Sequence, residues 1–167
     1  MDLGTHLLSG IIVAHIYSNF ASPMWFLIIF FSLLPDLIGE FFYLLARKMH
    51  GKKIKLFYDE EVTNSSSYLG NSIYLYPYNF LHSLFMPLLL YIFLLPLELI
   101  IAYSTHLILD IFSHSKKSWG IMIFWPFYKK RFGNNKNWWE WKILKGKNIF
   151  YFNLVNYSIV SLLIVLY

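Results

Sequence analysis

Three residues with metal-ligand side chains recur at four-residue spacing in an apolar segment: His106, Asp110 and His114. Side chains four residues apart lie on one face of an α-helix, so this spacing predicts a stripe of imidazole and carboxylate groups. Ionisable groups are costly inside a membrane and usually serve a function there. The stripe therefore predicts a site that binds a divalent metal ion.

The composition indicates an integral membrane protein. Of the 167 residues, 57% are hydrophobic, 21% are aromatic and only 14% are charged, which is unlike a soluble domain. This length leaves room for one helical membrane domain, residues 1–167, and for no separate soluble catalytic domain. Because the chain has no cysteine, a metal must be held by imidazole and carboxylate groups, which favours zinc, manganese or iron.

Apolar segments alternate with two polar loops along the chain. The segments lie at about 5–18, 23–47, 81–114 and 149–167, and the loops at about 47–80 and 115–148. We expect an all-α polytopic membrane protein with about five short hydrophobic helices. The segment 81–114 is long enough for one crossing, but Pro96 favours a bent hairpin, which would be a short or partly re-entrant pair of helices. Pro35 is expected to interrupt the second helix. The first segment lacks a preceding basic region, so we expect it to be retained as the first helix.

The polar loops carry the lysines and arginines. Basic loops favour the cytoplasmic side, so we expect a multi-pass protein of the prokaryotic inner membrane with both loops in the cytoplasm. The tryptophans and basic residues between 119 and 147 predict interfacial aromatic-basic segments that contact membrane lipids. The sequence contains no recognisable nucleic-acid-binding module, so nucleic acid is not an expected partner, and the oligomeric state is left open.

Counting residues from the two predicted turns indicates that the polar side chains lie at similar depth. The first turn leaves His6 about twelve residues before it and Asp36 about thirteen after it. The second turn, at Pro96, leaves His82 and Asp110 about fourteen residues to either side. We therefore expect these groups to converge near the ends of the helices that carry the basic loops, in a site that opens toward the cytoplasmic interface.

Several short motifs occur in a recognisable order. They are Thr5-His6-Leu7-Leu8-Ser9-Gly10, Leu33-Leu34-Pro35-Asp36, Leu81-His82-Ser83-Leu84, Ser104-Thr105-His106-Leu107-Ile108-Leu109-Asp110 and Trp125-Pro126-Phe127. With this set the chain resembles the YdjM-type family, described as membrane-bound metal-dependent hydrolases. The resemblance covers most of the chain and implies a metal site in the membrane.

A weaker similarity links the chain to the zinc-dependent phospholipase C and nuclease superfamily, whose metal clusters use histidine and aspartate in a similar order. The resemblance implies one zinc ion held by Asp36, His82, His106 and Asp110. It also implies that Asp110 bridges to a second ion, which His6 binds as well. His114 remains as a further candidate ligand downstream.

The chemistry expected from such a site is hydrolysis of a phosphoester or lipid headgroup by water activated on one or two divalent ions. Asp36 and Asp110 are candidates for a catalytic role as well as for metal binding. Glu40, one helical turn beyond Asp36, is a candidate for a third carboxylate ligand, an acceptor for an imidazole N–H or a general base. His15 and His50 are expected to be structural or solvated.

Two other classes of protein fit the same residues. A transporter of metal ions or protons also needs buried histidine and aspartate, near the membrane midplane on a path to both faces. A noncatalytic membrane scaffold would use the ion structurally, with four protein ligands and no open position for water.

Overall fold

The computed structural model describes residues 3–49, 51, 72–117 and 120–137, and five positions between 155 and 162. These residues form helices with defined bounds and no β-strand: α1 (Leu3–Tyr17), α2 (Pro23–Met49), α3 (Ser72–Leu81), α4 (Phe85–Ile92) and α5 (Leu97–Ser113). The all-helical prediction is confirmed for this part of the chain. His50 and most of the predicted segment 149–167 lie outside the described residues.

α1 and α2 form a helical hairpin whose turn follows from its sequence. The Ser22 hydroxyl accepts a hydrogen bond from the N–H of Met24 at 3.2 Å, and Pro23 occupies the first helical position, where proline is favoured. The two helices approach closely at Gly10. A Cβ there would overlap the side chain of Ser32 and lie 3.2 Å from the Cα of Ile29, so this position requires glycine.

α2 continues through Pro35 for 27 residues, so the predicted interruption at Pro35 is wrong. Proline removes one backbone hydrogen bond from a helix, but packing holds α2 on both sides, with Ile28 and Tyr43 buried. In the turn before Pro35, the carbonyl oxygen of Ser32 accepts a hydrogen bond from His106 Nδ1 at 2.7 Å. Among the described residues, α2 is the one helix long and apolar enough to cross a membrane.

α3 lies inside the stretch that was predicted to be a polar loop at about 47–80, so that boundary is corrected. The helix begins at Ser72 despite Pro77 in its interior. Tyr74 and Tyr78 are buried, and the ring centroid of Tyr74 lies 5.7 Å from that of Tyr43 in α2. Aromatic burial therefore outweighs the cost of the proline. In the second predicted loop, residues 115–117 and 120–137 form no helix.

α4 and α5 form the second hairpin, with its turn at 93–96, where the sequence predicts the bend. The ring centroids of His82 and His106 lie 5.4 Å apart, whereas one straight helix would separate these residues by about 36 Å. The hairpin therefore brings the two histidines together.

An apolar cluster fills the space between α1, α2 and the first half of α5. Its buried members are Ile11, Val13, Ala14, Trp25, Ile28, Leu99 and Ala102. All lie nearer to the two hairpin turns along their helices than His6, Asp36, His106 and Asp110 do, so the helices are closed by apolar contacts on that side.

Candidate metal centre

The structure brings all six predicted metal ligands into one cluster. α1 contributes one histidine, α2 one aspartate and α5 a histidine and an aspartate, while the last two histidines directly follow α3 and α5. The residues are His6, Asp36, His82, His106, Asp110 and His114. The depth predicted by counting residues from the turns agrees with this convergence.

The tightest part of the cluster joins three helices. One ligand atom each from His6, Asp36, His106 and Asp110 lies within 4.8 Å of the other three. The imidazole rings of His6 and His106 stack with their centroids 3.7 Å apart. These four side chains could hold a metal ion.

Asp110 lies at the centre and presents its two oxygens to different histidines. Its Oδ1 is 3.2 Å from Nε2 of His6 and 3.2 Å from Nε2 of His114. Its Oδ2 is 3.4 Å from Nε2 of His82 and 3.4 Å from Nε2 of His106. One carboxylate therefore contacts four imidazoles, two through each oxygen.

Asp36 divides its oxygens in the same way. Its Oδ1 is 3.6 Å from Nε2 of His82 and 3.7 Å from Nε2 of His106. Its Oδ2 is 3.6 Å from Nε2 of His6. Both carboxylates thus offer one oxygen to the pair His82 and His106 and the other oxygen to His6.

The imidazole nitrogens test whether this set of donors fits a metal. Nε2 of His6, His82 and His106 is buried, and none of these atoms has a hydrogen-bond partner within the described ranges. Nδ1 of His82 donates to the carbonyl oxygen of Tyr78 at 3.0 Å, as His106 Nδ1 does to that of Ser32 at 2.7 Å. These bonds fix a tautomer with its lone pair on Nε2, as in histidines that bind metals. Buried nitrogens that make no hydrogen bond are costly, even beside carboxylates. The arrangement therefore fits a divalent cation.

The cluster is accessible from the α2 side. The side chain of Asp36 is 30% exposed, whereas that of Asp110 is 1% exposed. At the other edge, burial lowers the pKa of His114, which favours the neutral imidazole that coordinates metals. Asp36 therefore forms the exposed edge of the cluster.

The comparisons with known proteins agree with this setting. A family model described as YdjM inner membrane protein matches residues 1–167. The chain belongs to this family. Neither the search of curated proteins nor the search of solved structures gave a match. The predicted YdjM resemblance is confirmed, and the family is one of inner-membrane proteins.

Glu40 and His15, which the sequence also singled out, are not among the six clustered residues of this YdjM-family chain. Glu40 is half-buried one turn beyond Asp36, and its role as a ligand, an acceptor or a base stays a prediction. His15 lies near the ring of Trp25, with centroids 6.1 Å apart, and is outside the cluster.

Sequence reasoning missed the residues that support the ligands. The Ser32 hydroxyl donates to the carbonyl oxygen of His6 at 3.1 Å, and the Tyr78 ring stacks on His82 with centroids 4.2 Å apart. Neither residue type signals a metal site. Gly10 gave a usable signal, because a small residue one turn from His6 allows a second helix to approach the ligand face.

Proposed function

We propose that this YdjM-family protein is a metal-dependent hydrolase that cleaves phosphoesters, with lipid headgroups as the preferred class. The observation that carries the proposal is the set of buried Nε2 atoms without hydrogen-bond partners around two carboxylates. Divalent ions held by these residues, zinc first among them, would supply an activated water near neutral pH and, as a pair, would stabilise the attacking and leaving oxygens of a phosphoester.

The division of the carboxylate oxygens supports two ions rather than one. The first set of donors would be His82, His106, Asp36 Oδ1 and Asp110 Oδ2. The second would be His6, His114, Asp36 Oδ2 and Asp110 Oδ1. Both aspartates would then bridge the two positions, which extends the ligand set implied by the phospholipase C likeness.

The residues around the cluster would have distinct tasks. Asp110, which is almost fully buried, would hold the ions, while the exposed edge of Asp36 would border the space where substrate and water enter. Glu40, one turn along α2, would accept a proton or orient a ligand from the same open side.

A lipid substrate is supported by the surroundings of the opening. Leu37 and Phe41, close to Asp36 on α2, expose their apolar side chains. Lys116 and Lys117 are exposed within three residues of His114 and would attract an anionic headgroup. Acyl chains would thus meet apolar side chains of α2, and a phosphate would be attracted by the lysines that follow His114.

The topology that suits this function is polytopic, with both basic loops in the cytoplasm and the cluster near that interface. α2 is the described helix with the length and composition to cross the membrane. The exposed lysines near His114 favour the cytoplasmic face for the end of α5 that carries the cluster.

One observation favours a transporter of metal ions as the second candidate. Asp36 lies thirteen residues from each end of α2, which would place it near the midplane if all of α2 crossed the membrane. Transport also needs a path to the opposite face, and the apolar cluster between α1, α2 and α5 fills that direction. We therefore rank transport below hydrolysis.

The test compares the wild type with a His106→Ala, Asp110→Ala double variant after purification in detergent. We expect one or two divalent ions per chain and cleavage of phosphoester or phospholipid substrates in the wild type, and neither in the variant. Cleavage that persists in the variant would disprove the assignment of the site. Bound metal with no cleavage across a broad phosphoester panel would overturn hydrolysis, and zinc flux into proteoliposomes would then identify a transporter.

A further inference from the structure

The turn between α4 and α5 projects from the protein and is apolar. Leu94 is 88% exposed and Phe93 is 72% exposed. The exposed surface continues on both sides, through Tyr91, Ile92 and Leu97. Turns that face water are usually polar, and an exposed apolar patch of this kind marks a contact with another apolar phase.

Three backbone N–H groups of this turn are bonded within the hairpin. The N–H groups of Phe93, Leu94 and Leu95 donate to carbonyl oxygens of α4 at 2.9, 3.0 and 3.0 Å, and Pro96 has no N–H. Leu94 has a φ of 55°, at a helix end where glycine or asparagine is usual. The chain therefore has an apolar side chain in a strained position, and the N–H groups of Phe93, Leu94 and Leu95 are satisfied internally, which lowers the cost of placing the turn in hydrocarbon.

Neither arm of the hairpin is long enough to cross a bilayer. α4 has eight residues, about 12 Å, against a hydrocarbon core of about 30 Å. At its base the N–H of Leu84 donates to the carbonyl oxygen of Ile123 at 2.8 Å, in a segment that continues to the exposed Lys129 and Lys130. α5 has 17 residues, about 25 Å, and the exposed Lys116 follows its end.

The one charged side chain between His82 and His106 is Glu98. It is half-buried in the first turn of α5, where the N–H groups of the helix end favour a carboxylate. Its place beside the protein rather than at the projecting tip is compatible with lipid around Phe93 and Leu94.

We infer that the α4–α5 hairpin is a re-entrant membrane element. Its tip, residues 91–97, lies among the lipid acyl chains, and the chain returns to the basic side from which it entered. The partner of this surface is the hydrocarbon of the bilayer, rather than water at the far face or a second copy of the chain. This inference goes beyond the proposed function, because it holds whatever reaction the metal cluster performs.

The absence of cysteine allows a test with single-cysteine variants of the full chain. Leu94→Cys and Phe93→Cys probe the tip, and Lys130→Cys is the water-exposed control. Each is treated with a membrane-impermeant sulfonated maleimide in right-side-out and inverted membrane vesicles. We expect Lys130→Cys to react in one orientation, and both tip variants to stay unlabelled in both orientations until detergent is added.

The outcomes separate the alternatives. Labelling of a tip cysteine from the face opposite Lys130→Cys would overturn the inference, since the hairpin would cross the membrane. Labelling from the same face as Lys130→Cys would overturn it as well, since the tip would lie in water.

A second measurement distinguishes lipid from a second copy of the chain. A bimane probe attached at Leu94→Cys, in vesicles that contain lipids with nitroxide groups along the acyl chains, should be quenched more strongly than one attached at Ile108→Cys, about 14 residues nearer the basic end. An unquenched tip probe would mean that protein covers the tip, and would overturn the inference.

Discussion

The polar groups at the two ends of α5 differ in whether they are hydrogen-bonded. At its N-terminal end the turn is exposed and apolar, and the N–H groups of Phe93, Leu94 and Leu95 are bonded within the hairpin. At its C-terminal end His106 and Asp110 are buried, and His106 Nε2 lacks a hydrogen-bond partner in the described part of the chain. N–H groups that are bonded beneath an exposed apolar surface suit lipid, whereas buried imidazole nitrogens without a hydrogen bond suit a bound cation. The contrast supports our proposals of membrane contact at one end and of a metal site at the other.

Removal of the central carboxylate should have the largest effect at the polar end. Asp110→Ala takes away both oxygens that face the four imidazoles, so we expect bound metal to fall below a tenth of the wild-type content by elemental analysis. His15→Ala, which changes a histidine outside the cluster, is the control and should retain full occupancy. Equal metal content in wild type and Asp110→Ala would contradict the assigned centre.

The two-ion arrangement predicts that substitution of a single histidine removes only the ion that this histidine holds. His114→Ala should lower metal content by about one ion per chain and leave the other ion in place, because His114 contacts one oxygen of Asp110 while His82 and His106 contact the other. Manganese-loaded wild type should show a spin-coupled signal by electron paramagnetic resonance, and His114→Ala should not. One ion in both proteins would reduce the site to a mononuclear centre.

The close contact between α1 and α2 at Gly10 should affect both the stability of the protein and the affinity of the cluster for metal. Gly10→Ala would force α1 away from Ser32 and Ile29, and overpacking of this kind costs about 1–3 kcal/mol of stability. We expect a lower melting temperature and weaker metal binding, since Ser32 bonds the backbone of His6. Gly39→Ala is the matched control, because its Cβ would meet no atom closer than 3.9 Å.

At the apolar end, two substitutions at Leu94 separate membrane contact from backbone strain. Glycine and asparagine both tolerate the positive φ found there. Leu94→Gly should relieve strain but lose the contact of a leucine side chain with lipid, which is worth about 1.5–3 kcal/mol when complete. Leu94→Asn should be worse, because it adds an amide to hydrocarbon. Higher stability of both variants in vesicles would show that the tip is not in lipid.

The smallest effect is expected at Glu98. Glu98→Gln removes a charge that favours the N-terminus of α5 by about 0.3–1 kcal/mol and removes the one charge close to the tip. Since these contributions oppose each other, stability in vesicles should change by less than about 1 kcal/mol. A large loss of folded protein would mean that this carboxylate has an essential partner and that the apolar end is not purely a lipid contact.

The convergence of the His and Asp side chains was largely predictable because periodicity and counting depend on backbone geometry alone. The four-residue spacing of His106 and Asp110 defined one helix face, and the bend at Pro96 brought His82 to the same level. Which oxygen faces which imidazole depends on side-chain rotamers and on packing between helices. For that reason the division of donors at Asp36 was not predictable.

The predicted interruption at Pro35 was wrong because burial decided the structure there. Pro35 and Pro77 both lie inside helices, since tertiary contacts offset the lost hydrogen bond. Leu94 gave no turn signal, because sequence rules expect glycine at a position with positive φ. At Pro35 and Pro77 the local rule failed because contacts distant in sequence supplied the stabilising free energy.

The distribution of the candidate ligands along the chain has a consequence for biosynthesis. His6 and Asp36 belong to the first hairpin, and the other candidate ligands are translated at least 46 residues after Asp36. A nascent chain that has inserted only α1 and α2 therefore has an incomplete set of donors. Metal acquisition would report that both hairpins have docked, and the ion would then fasten the early half of the chain to the late half, as a covalent crosslink does in proteins that contain cysteine.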